Sequence, residues 1–372
     1  MATARCGRAA VGGRAWPAIA RAFTLVEVLV VLIIIGTVLA ILLPSLATTR
    51  QAAKKVSSQA LMNNLAAATS QFITDRRESP GYFTPVEMGA AANSAPSDSA
   101  GSQRGFGAIQ NIMIDLAGGI TAAPQDGVQL LEVGPTASAS VVIDLAQIGG
   151  SGAGSGSAAS NKAYFTPARQ FFEPQGNAQI ASDSGNRRNR LLPTLIDAFG
   201  QPILAWAQDE RGQSVATWAA LDSSTVAKYY WAANGCYLNS TALGKAVANQ
   251  SGDTNYDRPS SLIGGGGTTF DADQVQSSLM ALLGHPAFPS PAMQDALGGG
   301  FAGSQIPLPG AARGQVVYHS AGANGVYLGT FERGGKAALE DNATRPPAKA
   351  ARYSGGYDPM LDFDDIVVPA GN

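Results

Sequence analysis

Charge is scarce in this sequence. Only 14% of its 372 residues are Asp, Glu, Lys or Arg, and the formal net charge is −2. That balance provides no basic face, so nucleic-acid binding is not expected. Cysteine and histidine are rarer still, two of each: Cys6, Cys236, His285 and His319. If the first 22 residues are removed, Cys236 remains alone without an intrachain disulfide partner. So few thiols and imidazoles also argue against a four-ligand zinc site. His285 precedes Pro286 and His319 ends a strand-like run, and both read as structural. No G-x-S-x-G or H-E-x-x-H occurs. The glycines of residues 149–157 have neither complete phosphate-loop spacing nor a following Lys-Ser/Thr. No motif supports an enzyme.

What the sequence does have is one long apolar run. Phe23 to Leu43 reads FTLVEVLVVLIIIGTVLAILL, with Glu27 its single charge. A helix of that length spans about 30 Å, the thickness of a bilayer core. A buried helix of a soluble protein rarely lacks a polar face over such a length. Arg5, Arg8, Arg14 and Arg21 precede the run with no acid among them, and no basic residue follows until Arg50. This asymmetry puts the N-terminus in the cytoplasm. Without those arginines the balance is 21 basic against 27 acidic residues, a net −6. The run is too long for a secretory signal and leads into a helix-forming stretch, not a small-x-small cut site. Either an uncleaved anchor or a signal cut ahead of the apolar run remains.

The residues Arg21-Ala22-Phe23-Thr24-Leu25-Val26-Glu27 resemble the type IV prepilin family. The resemblance implies a cut between Ala22 and Phe23 by the prepilin peptidase, with N-methylation of Phe23. Ala22 stands where the family usually has Gly. Glu27 becomes the fifth mature residue, the position where the family carries glutamate. Gly36 and Pro44 also fall where many members place Gly and Pro. A carboxylate within an apolar helix costs about 2.5–3.5 kcal/mol unless paired or near the interface. Glu27 therefore either sits shallowly and reaches water or, as the family implies, meets the Phe23 amine of a neighbouring subunit. Gly36 weakens a helix by about 1 kcal/mol and Pro44 removes a hydrogen bond, so the segment between them can bend or unwind on assembly.

Beyond the run, Val56, Ala60, Leu61, Leu65, Ala68 and Phe72 recur at three- and four-residue steps. They predict an amphipathic continuation of the helix that Ser79-Pro80-Gly81 ends. Residues 89–105 and 149–157 are low-complexity loops. Short strands are expected at Val128–Val133 and Ser140–Leu145. Asp197-Ala198-Phe199-Gly200-Gln201-Pro202 resembles a turn by which pseudopilins enter their antiparallel sheet. Gly200 permits that turn and Pro202 starts a strand over Ile203–Ala207, with Ser214–Trp218 as a hairpin partner. A short helix is expected near Asp273–Leu283.

Near the C-terminus a strand over Gln315–His319 precedes Ser320-Ala321-Gly322-Ala323-Asn324-Gly325. This segment, with Asp362-Phe363-Asp364-Asp365-Ile366, resembles the closing motifs of type II secretion major pseudopilins, Asn324 taking an Asp position. In that family the two stretches fold around calcium. Asp358, Asp362, Asp364 and Asp365 either supply oxygen ligands to such an ion or are solvated loop acids.

The expected fold is α+β, a pilin-like lollipop: a long N-terminal helix, half transmembrane and half amphipathic, packed on a C-terminal antiparallel β-sheet head with long loops. Its parts are a cleaved leader (1–22), a transmembrane helix (23–43), the amphipathic continuation (44–79) and a periplasmic head (80–372). Insertions are expected at about 89–190 and 236–310. The resemblance implies a structural subunit of a type II secretion pseudopilus or related filament, single-pass in the bacterial inner membrane. Its implied partners are the prepilin peptidase, other copies or other pseudopilins, the inner-membrane assembly platform and the lipid bilayer. The alternative is a singly anchored periplasmic binding protein that does not polymerise.

Overall fold

Leu25–Arg76 forms an α-helix, α1, in the computed structural model. The structure describes residues 25–88, 106–120, 130–136, 138–144, 163–174, 189, 192–208, 234, 282–283, 312–323, 325, 327–328 and 364–371. It divides into two compact units, Met1–Gln51 and Ala52–Asn372.

In the first unit the α1 backbone is helical through both Gly36 and Pro44. Its apolar side chains are exposed on every face: Leu29, Val30, Val31 and Leu32 in succession are about half exposed or more. Among the described residues no helix is long and apolar enough to cross a membrane. The side chains of Ile41, Pro44 and Ala47 lie outside the described residues.

In the second unit the remainder of α1 turns one face inward. Ser58, Leu61, Met62, Leu65, Ala66, Ala68, Thr69 and Phe72 are buried. Val56 and Ala60, expected on this stripe, are exposed. The 3.6-residue period runs through 58, 62, 65, 69 and 72, which rotates residues 56 and 60 outward. The helix stops where Arg77 takes a positive φ of 60°. Its N–H still donates to Ile73 O at 2.7 Å, a left-handed cap placed just before Ser79-Pro80-Gly81.

A four-residue helix, α2 (Pro85–Met88), follows, and then α3 (Ala108–Ala117). Every residue of α3 except Asp115 is buried. This helix lies inside the core, its polar Gln110 and Asn111 buried through hydrogen bonds, and Ile109, Ile112 and Leu116 join Leu61, Leu65 and Phe72 of α1 in one cluster. Each such side chain contributes about 1.5–3 kcal/mol on burial. Gln110 bonds back to the Gly107 N–H at 2.9 Å to start α3, and Gly118 at φ 74° ends it. Within residues 89–190, expected as insertion, α3 thus contributes to the core.

Among the described residues the strands pair antiparallel throughout, and with the helices they make the class α+β. β1 (Leu130–Val133) pairs with β2 (Val141–Asp144). β3 (Phe172–Pro174) pairs with β4 (Pro193–Leu195). β5 (Leu204–Ala207), β6 (Val316–Ser320) and β7 (Ile366–Ala370) form a three-stranded sheet with β6 in the centre. Leu204 faces His319 across one ladder, and His319 faces Val367 across the other. Tyr318 leaves the sheet to meet α1, its hydroxyl 2.5 Å from Thr69 Oγ1. The hairpin partner expected at Ser214–Trp218, and the helix near Asp273–Leu283 apart from Leu282 and Leu283, lie outside the described residues.

Candidate functional site

The end of β6 gathers three segments that are distant in sequence. The first is the Asp197–Pro202 turn. Asp197 Oδ1 accepts the N–H groups of Phe199 and Gln201, both at 2.8 Å. Gly200 at φ 86° closes the turn, a conformation that Cβ-bearing residues avoid. An isolated bridge between Ile196 and Pro202 then leads into β5. The turn docks on α1 through Ala198 N–H to Ser58 Oγ at 3.0 Å, and Lys54 Nζ lies 5.6 Å above the Phe199 ring.

The second segment is Ser320–Leu328. Ser320 Oγ donates to Asp197 Oδ2 at 2.6 Å, and Tyr327 Oη donates to Pro202 O. Gly325 lies against Gln201. Burial raises the Asp197 carboxyl above its ordinary range, while the Ser320 hydroxyl and the turn's N–H groups pull it back down.

The third segment is Asp364-Asp365, just ahead of β7. A Cβ on Gly322 would collide with the Asp364 backbone, so glycine is required there both for space and for its φ of 63°. Asp365 is buried. Its Oδ2 lies 2.5 Å from His319 Nε2 and accepts the Leu328 N–H at 2.7 Å. His319 Nδ1 accepts from Trp206 Nε1 at 3.4 Å. Burial also raises the Asp365 carboxyl, and His319 beside it opposes that rise. Neighbouring residues on a strand point to opposite faces. His319 and Ser320 accordingly serve different carboxylates, and their bonds do not form a Ser-His-Asp relay.

The sequence-expected sites divide as follows. Ala22, Phe23, Asn324, Asp358 and Asp362 lie outside the described residues. Glu27 occupies the first turn of α1, where a carboxylate complements the helix dipole. A Cβ on Gly36 would meet nothing within 4 Å, so the residue is not demanded by packing within the described chain. Asp364 lies against Gly322, and Asp365 bonds His319 and the Leu328 N–H. Asp365 is not a solvated loop acid, because its side chain is fully buried. Sequence reasoning did not find Trp206 or the role of His319: their meeting depends on the register of β5 on β6, which no local spacing signals.

Calcium, the ion the resemblance implies, needs several hard oxygen donors. Among the described residues no group of three or more His, Cys, Asp or Glu side chains gathers. Asp365 Oδ1 is buried and has no hydrogen-bond partner among the described residues, and a single such oxygen falls short of the donor set calcium takes. An orphaned, buried carboxylate oxygen is costly unless something satisfies it.

The chain matches none of the protein-family models, none of the curated proteins and none of the solved structures with which it was compared.

Proposed function

We propose that this protein is a structural subunit of a type II secretion pseudopilus or a related type IV pilus-like filament, not an enzyme. In this reading the prepilin peptidase removes residues 1–22 and methylates Phe23, and polymerisation proceeds through the N-terminal helix. The observation that carries it is the first part of α1. From Leu25 to Leu46 its described large apolar side chains are exposed all round, and its one acid, Glu27, sits in the first turn. A helix apolar on every face needs lipid or other apolar helices around it. A membrane resting state followed by a bundled filament core supplies both in turn. The single-pass inner-membrane location, the lollipop arrangement and the partnership with other subunits and the assembly platform belong to the same proposal.

Glu27 then has a defined task. Cleavage exposes the Phe23 amine, and a buried carboxylate is tolerated when a cation pairs with it. The pair would set the register between subunits. Mass spectrometry of the mature N-terminus tests processing: a chain beginning with methylated Phe23 supports the reading, and an intact Met1 refutes it. Glu27→Ala tests assembly. Filament loss with membrane insertion preserved is the expected result. Normal filaments, or no filaments from either form, would favour an anchored protein that never polymerises.

A further inference from the structure

We propose that the outer edge of β7 is complementary to the same edge of a second copy of this chain, and that Pro369 closes it to strand pairing. Which backbone groups face outward follows from the ladder. Gln208 N–H donates to Gln315 O at 2.7 Å, one step beyond the Ala207–Val316 pair of β5 and β6. Antiparallel partners alternate between hydrogen-bonded and non-hydrogen-bonded pairs. Gln315, Val317 and His319 therefore turn their N–H and C=O groups toward β5, and Val316, Tyr318 and Ser320 turn theirs toward β7. The β7 partners of the latter are Ala370, Val368 and Ile366. Val367 and Pro369, opposite His319 and Val317, thus direct their backbone groups away from the sheet. Proline has no N–H. At this position it costs the β6–β7 ladder nothing and leaves a gap in the donors of the outer edge.

Without that gap the strand is well suited to pairing. It reads IVVPA, with three β-branched residues in succession and no charge. Such a strand carries none of the lysines that commonly blunt an edge. Among the described residues no strand lies beyond β7, and Val367, Val368 and Pro369 are half-buried, not sealed in the core. Two β7 strands paired antiparallel are related by a two-fold axis, so each copy brings its own Pro369 and the pair lacks a donor on both sides. The opposite edge of the sheet is closed by a different means. Ala205, opposite Tyr318, turns its carbonyl outward by the same alternation, and there it accepts Asn234 Nδ2 at 2.8 Å. Asn234 is fully buried. A side-chain amide occupies one edge, and an imide removes a donor from the other.

The test compares the full native chain with Pro369→Val in detergent. Sedimentation velocity reads self-association, and hydrogen–deuterium exchange reads the Val367 amide at increasing protein concentration. Pro369→Val should fold as the native chain does and self-associate about 10–100-fold more strongly, one donor being gained on each side of the pair. Its Val367 amide should exchange more slowly as concentration rises, whereas exchange in the native chain should not depend on concentration. Val367→Pro combined with Pro369→Val moves the missing donor to the other outward position and should restore native behaviour. If Pro369→Val fails to fold, Pro369→Ala supplies the same N–H with a smaller side chain. A folded Pro369→Val or Pro369→Ala chain that associates no more than the native one would overturn the proposal. Failure of both to fold would overturn it too, because an outward N–H at this position costs the ladder nothing. So would a double variant that associates as strongly as Pro369→Val, since added apolar surface and not the donor would then be the cause. Association through α1 is common to all these chains, so the result is separate from that of the assembly reading.

Discussion

Replacing Asp115 by Asn should stabilise the protein at neutral pH and leave it nearly unchanged in acid. Asp115 is the one half-buried residue of α3, and its Oδ2 accepts the Gly81 N–H at 2.6 Å. One turn earlier Asn111 brackets the same stretch of chain, accepting the Phe83 N–H at 2.8 Å and donating to Phe83 O at 3.0 Å. Burial pushes the Asp115 carboxyl up from 3.8 to about 6, with the Gly81 bond opposing the rise, Glu78 adding to it and Arg76 reducing it. A carboxyl whose folded value is raised binds its proton more tightly when native. Its contribution to stability is therefore full below the unfolded value of 3.8 and is lost as pH rises through about 6. A shift of about two units at 1.36 kcal/mol each sets a ceiling of about 3 kcal/mol. Solvent screening of a half-buried group reduces the expected effect to about 1–2 kcal/mol. Asparagine keeps an acceptor for Gly81 and never ionises. Unfolding of the full chain in detergent, followed from pH 3.5 to 7.5, should show the two proteins equal at the acid end and diverging between pH 4 and 6. The difference between variant and native chain isolates this group from Asp197 and Asp365, whose carboxyls are also raised. A constant difference across the range, or a variant less stable at pH 7, would refute the reasoning.

Other substitutions probe the packing around β6 and the turn. Tyr318→Phe removes the buried hydroxyl contact with Thr69, whose Oγ1 keeps its bond to Leu65 O at 2.9 Å. A loss of about 1 kcal/mol in chemical denaturation is expected. Phe72→Ala, which vacates a core position edge-on to Tyr164 at 5.2 Å, should cost about 3–5 kcal/mol in the same assay. Gly200→Ala meets no steric neighbour but must hold φ 86°. A loss of about 1–2 kcal/mol is expected, and an unchanged midpoint would show that the turn relaxes.

Much of the fold was legible where the signal is local. The Ser79-Pro80-Gly81 stop agrees with the end of α1 at Arg76, and the strands at Val128–Val133, Ser140–Leu145, Ile203–Ala207 and Gln315–His319 correspond to β1, β2, β5 and β6. α3 was the larger omission. Ile109, Ile112, Met113 and Leu116 have helical spacing, but they follow a low-complexity stretch, and ten residues give a short run in which to read a period. The stripe on α1 was legible at Leu61, Leu65, Ala68 and Phe72, which are buried, whereas Val56 and Ala60 are exposed and the polar Ser58 and Thr69 face inward to bond Ala198 and Tyr318. The wiring of Trp206, His319 and Asp365 at the site was not legible, since it arises from pairing between strands far apart along the chain.

The register of β6 has a consequence for timing. Its two neighbours join it through long intervening stretches, so closing this sheet is a matter of large loop entropy and slow search. β7 is the later neighbour in the chain, and until it arrives, one edge of β6 and the Asp365 partner of His319 are both missing. Should the protein emerge across a membrane from its N-terminal side, its central sheet would be the last part to mature. A chain interrupted before Ile366 would present an open strand edge to its neighbours, which is a template for aggregation.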